Sequence, residues 1–249
     1  MTKVLVFDSG SGSLPIAAAI REYLPSCELS LLADIEFFPY GEKPDSMLIT
    51  RMQQILSEAV ALIEPQIMVL ACNTASTIGL DILRKQFPIP IIGVVPAIKP
   101  AAEATKSGVI GLIATPATIK RSYTADLVAD FASDCEVIMH GSTDLVVMSE
   151  KFVKTGQFQQ SELHEILSPF IYARDNKGLD QLVLGCTHFA LLRDAIDEIL
   201  ENVAVVDSSN AIGRQVHRIV NERSLESDLS VISRDLHYYH TANGQVLQS

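Results

Sequence analysis

Short runs of apolar, often β-branched residues alternate along this chain with longer amphipathic stretches, from Val4-Leu-Val-Phe near the start to Ala204-Val-Val late in the sequence. A run that is apolar throughout has no polar face to turn to water, which is what a parallel strand covered by helices on both sides requires. The pattern predicts strands at residues 3–7, 28–33, 67–71, 91–94, 109–114, 136–139, 181–184 and 204–206. Helices are predicted over the amphipathic stretches 14–24, 45–63, 75–86, 99–107, 117–133, 143–154, 162–176, 190–200 and 211–222. Strands that alternate with helices in this way specify an α/β fold with parallel sheets. After Glu222 the pattern weakens, and His237-Tyr-Tyr-His-Thr is expected as an edge strand.

The pattern also repeats. Ile67-Met-Val-Leu-Ala-Cys-Asn-Thr has a counterpart in Leu182-Val-Leu-Gly-Cys-Thr-His, and each leads into a helix and a further apolar strand. Cys72 lies 21 positions before Gly93, and Cys186 lies 21 positions before Asp207. Val4-Leu-Val-Phe-Asp-Ser and Val109-Ile-Gly-Leu-Ile-Ala-Thr open the two halves alike, each running into a small polar residue. The expectation is two pseudo-symmetric three-layer α/β domains of flavodoxin-like type with an active site between them. The first takes residues 1–97 and 208–249, and the second residues 98–207.

Composition narrows the classes. A 48% hydrophobic and 20% charged chain is that of an ordinary globular protein, and no apolar run approaches the ~20 residues of a membrane span. A formal charge of −11, with basic residues scattered, argues against nucleic acid as the primary ligand. The start of the chain shows no charged-then-apolar leader before Val4, so the expected location is cytoplasmic. There the four cysteines, far apart and without a C-x-x-C pair or metal-ligand spacing, are expected as free thiols, with no metal site.

The chemistry-bearing residues fall where predicted strands end, which is where open parallel sheets bind ligands. Asp8-Ser9-Gly10, Cys72-Asn73-Thr74, Thr115 and Cys186-Thr187-His188 occupy such positions. A thiol beside a helix start sits near unpaired backbone donors and partial positive charge, which favours the thiolate. Inverting a stereocentre takes one group to remove a proton and another on the opposite face to return one, and two thiols at matching repeat positions meet that requirement. Packing alone gives no cause to match them, although one buried cysteine is ordinarily structural. Asp8, Ser9, Asn73 and Thr187 are each common helix caps, His188 taken alone reads as a cap or surface histidine, and Pro39-Tyr40-Gly41 reads as a turn. A dinucleotide reading rests on Gly10-Ser-Gly12 and on Asp34 as the ribose-binding acid, but Pro15 occupies the place of the third glycine.

Six segments carry a resemblance: Phe7-Asp-Ser-Gly-Ser-Gly-Ser-Leu, Phe38-Pro-Tyr-Gly-Glu-Lys, Ala71-Cys-Asn-Thr-Ala, Val94-Val-Pro-Ala-Ile-Lys-Pro-Ala, Ile119-Lys-Arg-Ser-Tyr and Leu184-Gly-Cys-Thr-His-Phe. In this order, over nearly the whole chain, they resemble the motifs of the glutamate racemases of the aspartate/glutamate racemase family. His188 after Gly-Cys-Thr is similar to the glutamate branch, since aspartate racemases usually carry Glu there.

The resemblance implies cofactor-independent racemisation of glutamate, supplying D-glutamate for peptidoglycan. Cys72 and Cys186 would exchange the protons, Asp8 assisting the first and His188 the second. Asp8, Ser9, Tyr40, Gly41, Asn73, Thr74, Thr115, Thr118, Thr187 and His188 would bind the substrate, with no pyridoxal phosphate or metal. Hydroxyls, amides and helix-start N–H groups can hold an acidic ligand despite the negative net charge. Val-Val-Pro-Ala-Ile-Lys-Pro and Lys-Arg-Ser-Tyr are similar to the subgroup that responds to a cell-wall nucleotide precursor, so such an activator is a candidate partner, as is a second copy of the chain. Ser13, Pro116-Ala117 and Ala190 depart from the family pattern, which usually has Gly, Arg-Gly and Pro at those places. A racemase for aspartate or another amino acid is the nearest alternative, and a catalytically silent α/β binding protein the alternative from another class.

Overall fold

Strands form where the apolar runs predict them: β1 Lys3–Asp8, β2 Glu28–Ala33, β3 Ile67–Leu70, β4 Ile91–Gly93, β5 Val109–Ala114, β6 Glu136–Gly141, β7 Gln181–Leu184 and β8 Ala204–Val206. The tail adds β9 Leu236–Ala242 and β10 Gln245–Gln248. The helices are α1 Ser13–Tyr23, α2 Asp45–Ile63, α3 Asn73–Gln86, α4 Ile98–Ala104, α5 Pro116–Lys120, α6 Ser122–Phe131, α7 Asp144–Thr155, α8 Gln160–Lys177, α9 Arg193–Ile199 and α10 Ser209–Glu222. This computed structural model describes residues 1–225 and 235–249. The remaining nine, within the carboxy-terminal tail, lie outside the described residues.

The chain divides into two units, Met1–Val94 with Ser209–Ser249, and Val95–Ser208. In the first, six strands run in the order β10-β9-β2-β1-β3-β4, parallel except for β10, which turns back on β9 as a hairpin. The expectation of an edge strand at His237–Thr241 is corrected here. Residues 236–242 lie inside the sheet between β2 and β10, because the short strand after Asn243-Gly244 supplies the edge instead. Both faces of the sheet are covered. Leu5, Phe7, Met68 and Leu70 point to a core shared with α2 and α3, whereas Val4, Val6, Ile67 and Val69 point to a second core shared with α1 and α10. This period-two division of fully apolar strands is the reason they show no alternation in sequence. Burying one such side chain contributes roughly 1.5–3 kcal/mol. Gly213 lets α10 lie against α1, since a β-carbon there would stand 2.7 Å from the Ala19 carbonyl oxygen.

The second unit is a four-stranded parallel sheet, β6-β5-β7-β8. Its order is that of β2-β1-β3-β4, so the repeat read along the chain is a repeat of topology, the flavodoxin-like winding. Ile110, Leu112, Ala114 and Val183 form one core with Ile98, Ala101 and Ala132, and on the other face Gly111 leaves room for Phe170 of α8 and for Leu182. Two predicted helices are interrupted. The stretch 117–133 breaks at Arg121, whose backbone is extended, and Thr124 donates to the carbonyl of Thr118 across the break at 2.6 Å. The stretch 190–200 begins instead as a 3-10 helix, Thr187–Leu192, before α9. No helix among the described residues is long and apolar enough to cross a membrane.

Candidate active site

In each unit the chain winds to opposite sides of one border between parallel strands, β1 and β3 in the first and β5 and β7 in the second, and a ligand site is expected at their carboxyl ends. These ends hold the predicted residues. In the first unit the Ala71 N–H donates to the Phe7 carbonyl at 2.7 Å, with Asp8 and Cys72 next in line on the two strands. In the second, the Gly185 N–H donates to the Ile113 carbonyl at the same distance, and Cys186 follows Gly185 just as Cys72 follows Ala71. Both cysteines have extended backbones and cap the helical turn that follows. The two thiols therefore occupy one topological position in two copies of one unit.

Their surroundings differ. Cys72 is buried, 8% exposed, and starts the fourteen-residue α3, two residues earlier than the pattern predicts, with the Ser76 N–H donating to its carbonyl at 2.9 Å. Asp8 is fully buried and accepts the Gly10 N–H at 2.7 Å. Ser9, Asn73 and Thr74 are each 4% exposed. Asn73 Oδ1 has no hydrogen-bond partner among the described residues, and an unmet buried acceptor costs about 1–3 kcal/mol. A ligand N–H group placed beside Cys72 would satisfy it.

Cys186 is half-buried and precedes a 3-10 turn of six residues rather than an α-helix, which corrects the expectation of a helix start beside each thiol. A side chain stands in its place. His188 Nδ1 lies 4.0 Å from Cys186 Sγ, and His188 Nε2 lies 2.9 Å from Glu150 Oε1 on α7. His188 is 3% and Glu150 12% exposed, so the pair is largely withdrawn from water. A carboxylate on one ring nitrogen fixes the tautomer and orientation of the other, which faces the thiol. Glu150 was not singled out in the sequence, where a mid-helix glutamate reads as a solvated face. The available signal was its place four residues after Val146 on the buried side of α7. Glu150→Gln is expected to loosen the His188 ring with the fold intact, checked by the imidazole NMR signals beside circular dichroism.

Thr115 caps α5, its Oγ1 accepting the Thr118 N–H at 3.3 Å and lying 2.9 Å from Thr118 Oγ1. Pro116 opens this helix, where its missing N–H does no harm, and rests against Gly141. Ser13 is the first residue of α1 and Ala190 lies within the 3-10 turn, so neither departure removes a polar group from a strand end. Thr187 is buried beside Cys186. Gly41 is half-buried in a 3-10 turn, Tyr40–Glu42. Tyr40 is 1% exposed and donates its hydroxyl to Asp34 Oδ2 at 2.7 Å, so its hydroxyl is committed within the protein. Burial and the Asp34 charge push this phenol far above its ordinary pKa. Asp34 is not poised to take a ribose either. Its carboxylate is 0% exposed and also receives Arg51 and Thr241, so the dinucleotide reading that Pro15 already opposed loses its acid as well. Of the other cysteines, Cys27 is enclosed in the core, and burial pushes its thiol up to about 11.

A family model described as Asp/Glu/Hydantoin racemase matches residues 16–216. The chain belongs to the Asp/Glu/Hydantoin racemase family. Within this racemase family it is 45% identical over 235 residues to the glutamate racemase of Shewanella sp. (strain ANA-3), covering 94% of this chain and 84% of that one. Among solved structures it is similar to Escherichia coli glutamate racemase in complex with L-glutamate and activator UDP-MurNAc-ala. That likeness has a TM-score of 0.89 at 38% identity, over 97% of this chain and 90% of the other. It is also similar to Francisella tularensis glutamate racemase in complex with D-glutamate, with a TM-score of 0.76 at 25% identity over 97% and 88%.

Proposed function

We propose that this racemase interconverts L- and D-glutamate without a cofactor, with Cys72 and Cys186 as the two acid-bases. The observation that carries this reading is their equivalence: two thiols, each one residue beyond the same inter-strand hydrogen bond, in two units of the same winding. In the proposed reaction one thiolate takes the α-proton, and the carbanion receives a proton from the other thiol on the opposite face. The first cysteine ends as thiol and the second as thiolate, so the enzyme is set for the reverse direction. Asp8 supports Cys72, while His188, held by Glu150, supports Cys186. Ser9, Gly41, Asn73, Thr74, Thr115, Thr118 and Thr187 are the proposed holders of the carboxylates and the ammonium group, while Tyr40, its hydroxyl taken by Asp34, contributes as a wall beside Cys72. The unmet acceptor on Asn73 supports an ammonium at that place.

The glutamate-bound relatives support the choice of substrate. The activator of the E. coli relative supports a cell-wall nucleotide precursor as an effector here, and with it a cytoplasmic role in supplying D-glutamate for peptidoglycan. The test is the optical activity of L-glutamate with pure enzyme and no added cofactor. It is expected to decay to zero, and faster than that of L-aspartate. A signal that persists at high enzyme concentration would remove the proposed activity.

A further inference from the structure

Strand β9 pairs in parallel with β2 up to Ala33 and His240, which brings the next residues, Asp34 and Thr241, side by side from opposite ends of the chain. Thr241 is fully buried and its hydroxyl is used twice. It donates to Asp34 Oδ1 at 2.7 Å and accepts the Glu36 N–H at 3.3 Å. The other oxygen of Asp34 receives the Tyr40 hydroxyl, and Arg51 bridges both. Tyr40 packs against Phe7 with ring centroids 6.1 Å apart, in the core that also contains Cys72 and Val246 of β10. The hairpin is further held from outside, where the Gly244 N–H donates to Glu36 and the Val246 N–H to Glu58.

We infer that the carboxy-terminal hairpin, through Thr241, is a positioning element for the Cys72 side of the reaction. One hydroxyl fixes both the Asp34 carboxylate and the backbone of the loop leading to Tyr40, and Tyr40 in turn walls the pocket of core in which Cys72 sits. The inference rests on the two-thiol reading above. It also predicts something a plain structural latch would not. Loss of the Thr241 hydroxyl should slow proton transfer at Cys72 and leave transfer at Cys186 unaltered, so kcat/KM should fall equally in both directions while the isotope effect on α-proton removal rises for one enantiomer only.

The experiment first identifies the enantiomer that Cys72 deprotonates. In D2O, Cys186→Ser should exchange the α-proton of one enantiomer only, without inversion, since the remaining thiol returns a deuteron to the face it drew from. Exchange of neither or of both removes the two-thiol reading, and this inference with it. Primary deuterium isotope effects with α-deuterated substrate are then compared in both directions for Thr241→Val and Thr241→Ser. T241V is expected to lower kcat about tenfold, the order expected for one bond to a charged acceptor, and to raise the isotope effect only for the enantiomer assigned to Cys72. T241S, which can still donate and accept, is expected to restore both. An isotope effect that rises equally for the two enantiomers, or does not change, would overturn the inference while leaving the two-thiol reading intact. If T241V does not fold, Glu36→Gln loosens the hairpin from outside and is expected to give the same one-sided change at smaller size. Its absence would overturn the inference equally.

Discussion

Replacing either Cys72 or Cys186 by serine is expected to lower racemisation at least about 10³-fold in both directions, because positioned proton transfer contributes roughly 10²–10⁴-fold and a racemase cannot finish a turnover with one wall. The thiol has an ordinary pKa near 8.5, whereas a serine hydroxyl is a far weaker acid and its alkoxide does not persist in neutral water. The fold should survive both changes. Serine is smaller only slightly in shape, each cysteine backbone is extended, and the capped turn begins with backbone groups that the substitution does not touch. Near-normal turnover in either variant, measured by polarimetry with melting curves alongside, would contradict the scheme.

The second large effect concerns stability rather than rate. Arg51→Met is expected to destabilise the first unit by about 3–5 kcal/mol, the usual result of leaving one member of a buried ion pair alone. Asp34 is 0% and Arg51 7% exposed, and the guanidinium binds both Asp34 oxygens and Glu36, with its Cζ 4.6 Å from the Phe37 ring centroid. Bonding to Asp34 pushes the guanidinium pKa still higher, so the charge is present across the working range. Arg51→Lys should recover only part of the loss, since an ammonium lacks the fork that spans two oxygens. A double change of Arg51→Met with Asp34→Asn should recover more than the single one, because the orphaned charge is then gone. An unchanged melting temperature in R51M would show that the pair does not hold this unit together.

These residues also show where sequence reading reaches and where it stops. The strands were legible because runs such as Ile67-Met-Val-Leu and Val109-Ile-Gly-Leu-Ile are apolar on both faces, and the two cysteines stood out through the repeat. Arg51 was missed although it carries a signal: it falls between Leu48 and Met52 in the stripe Leu48, Met52, Ile55 and Ala59, which is the buried face of α2. A charge inside an apolar helical stripe asks for a buried partner. Asp34 was noticed for the wrong reason, since its position after β2 suits a ribose acid, whereas its partners Tyr40, Arg51 and Thr241 come from three separate places in the chain. Local pattern cannot bring Thr241 to Asp34 across 207 positions, and it could not show that residues 236–242 lie between β2 and β10 rather than at the edge of the sheet. The break at Arg121 was hidden for a related reason. Residues 117–133 keep helical composition throughout, and it is the bond from Thr124 to the Thr118 carbonyl that marks the change of direction.

The central claim is that two separate groups handle the two protons. Its most direct test is the isotope content of both enantiomers in the first few per cent of reaction when unlabelled L-glutamate is converted in D2O. The account predicts D-glutamate carrying deuterium at Cα from the first turnovers, while the remaining L-glutamate stays unlabelled. Early product that retains the original proton would mean that a single group carries it across, and would contradict the account.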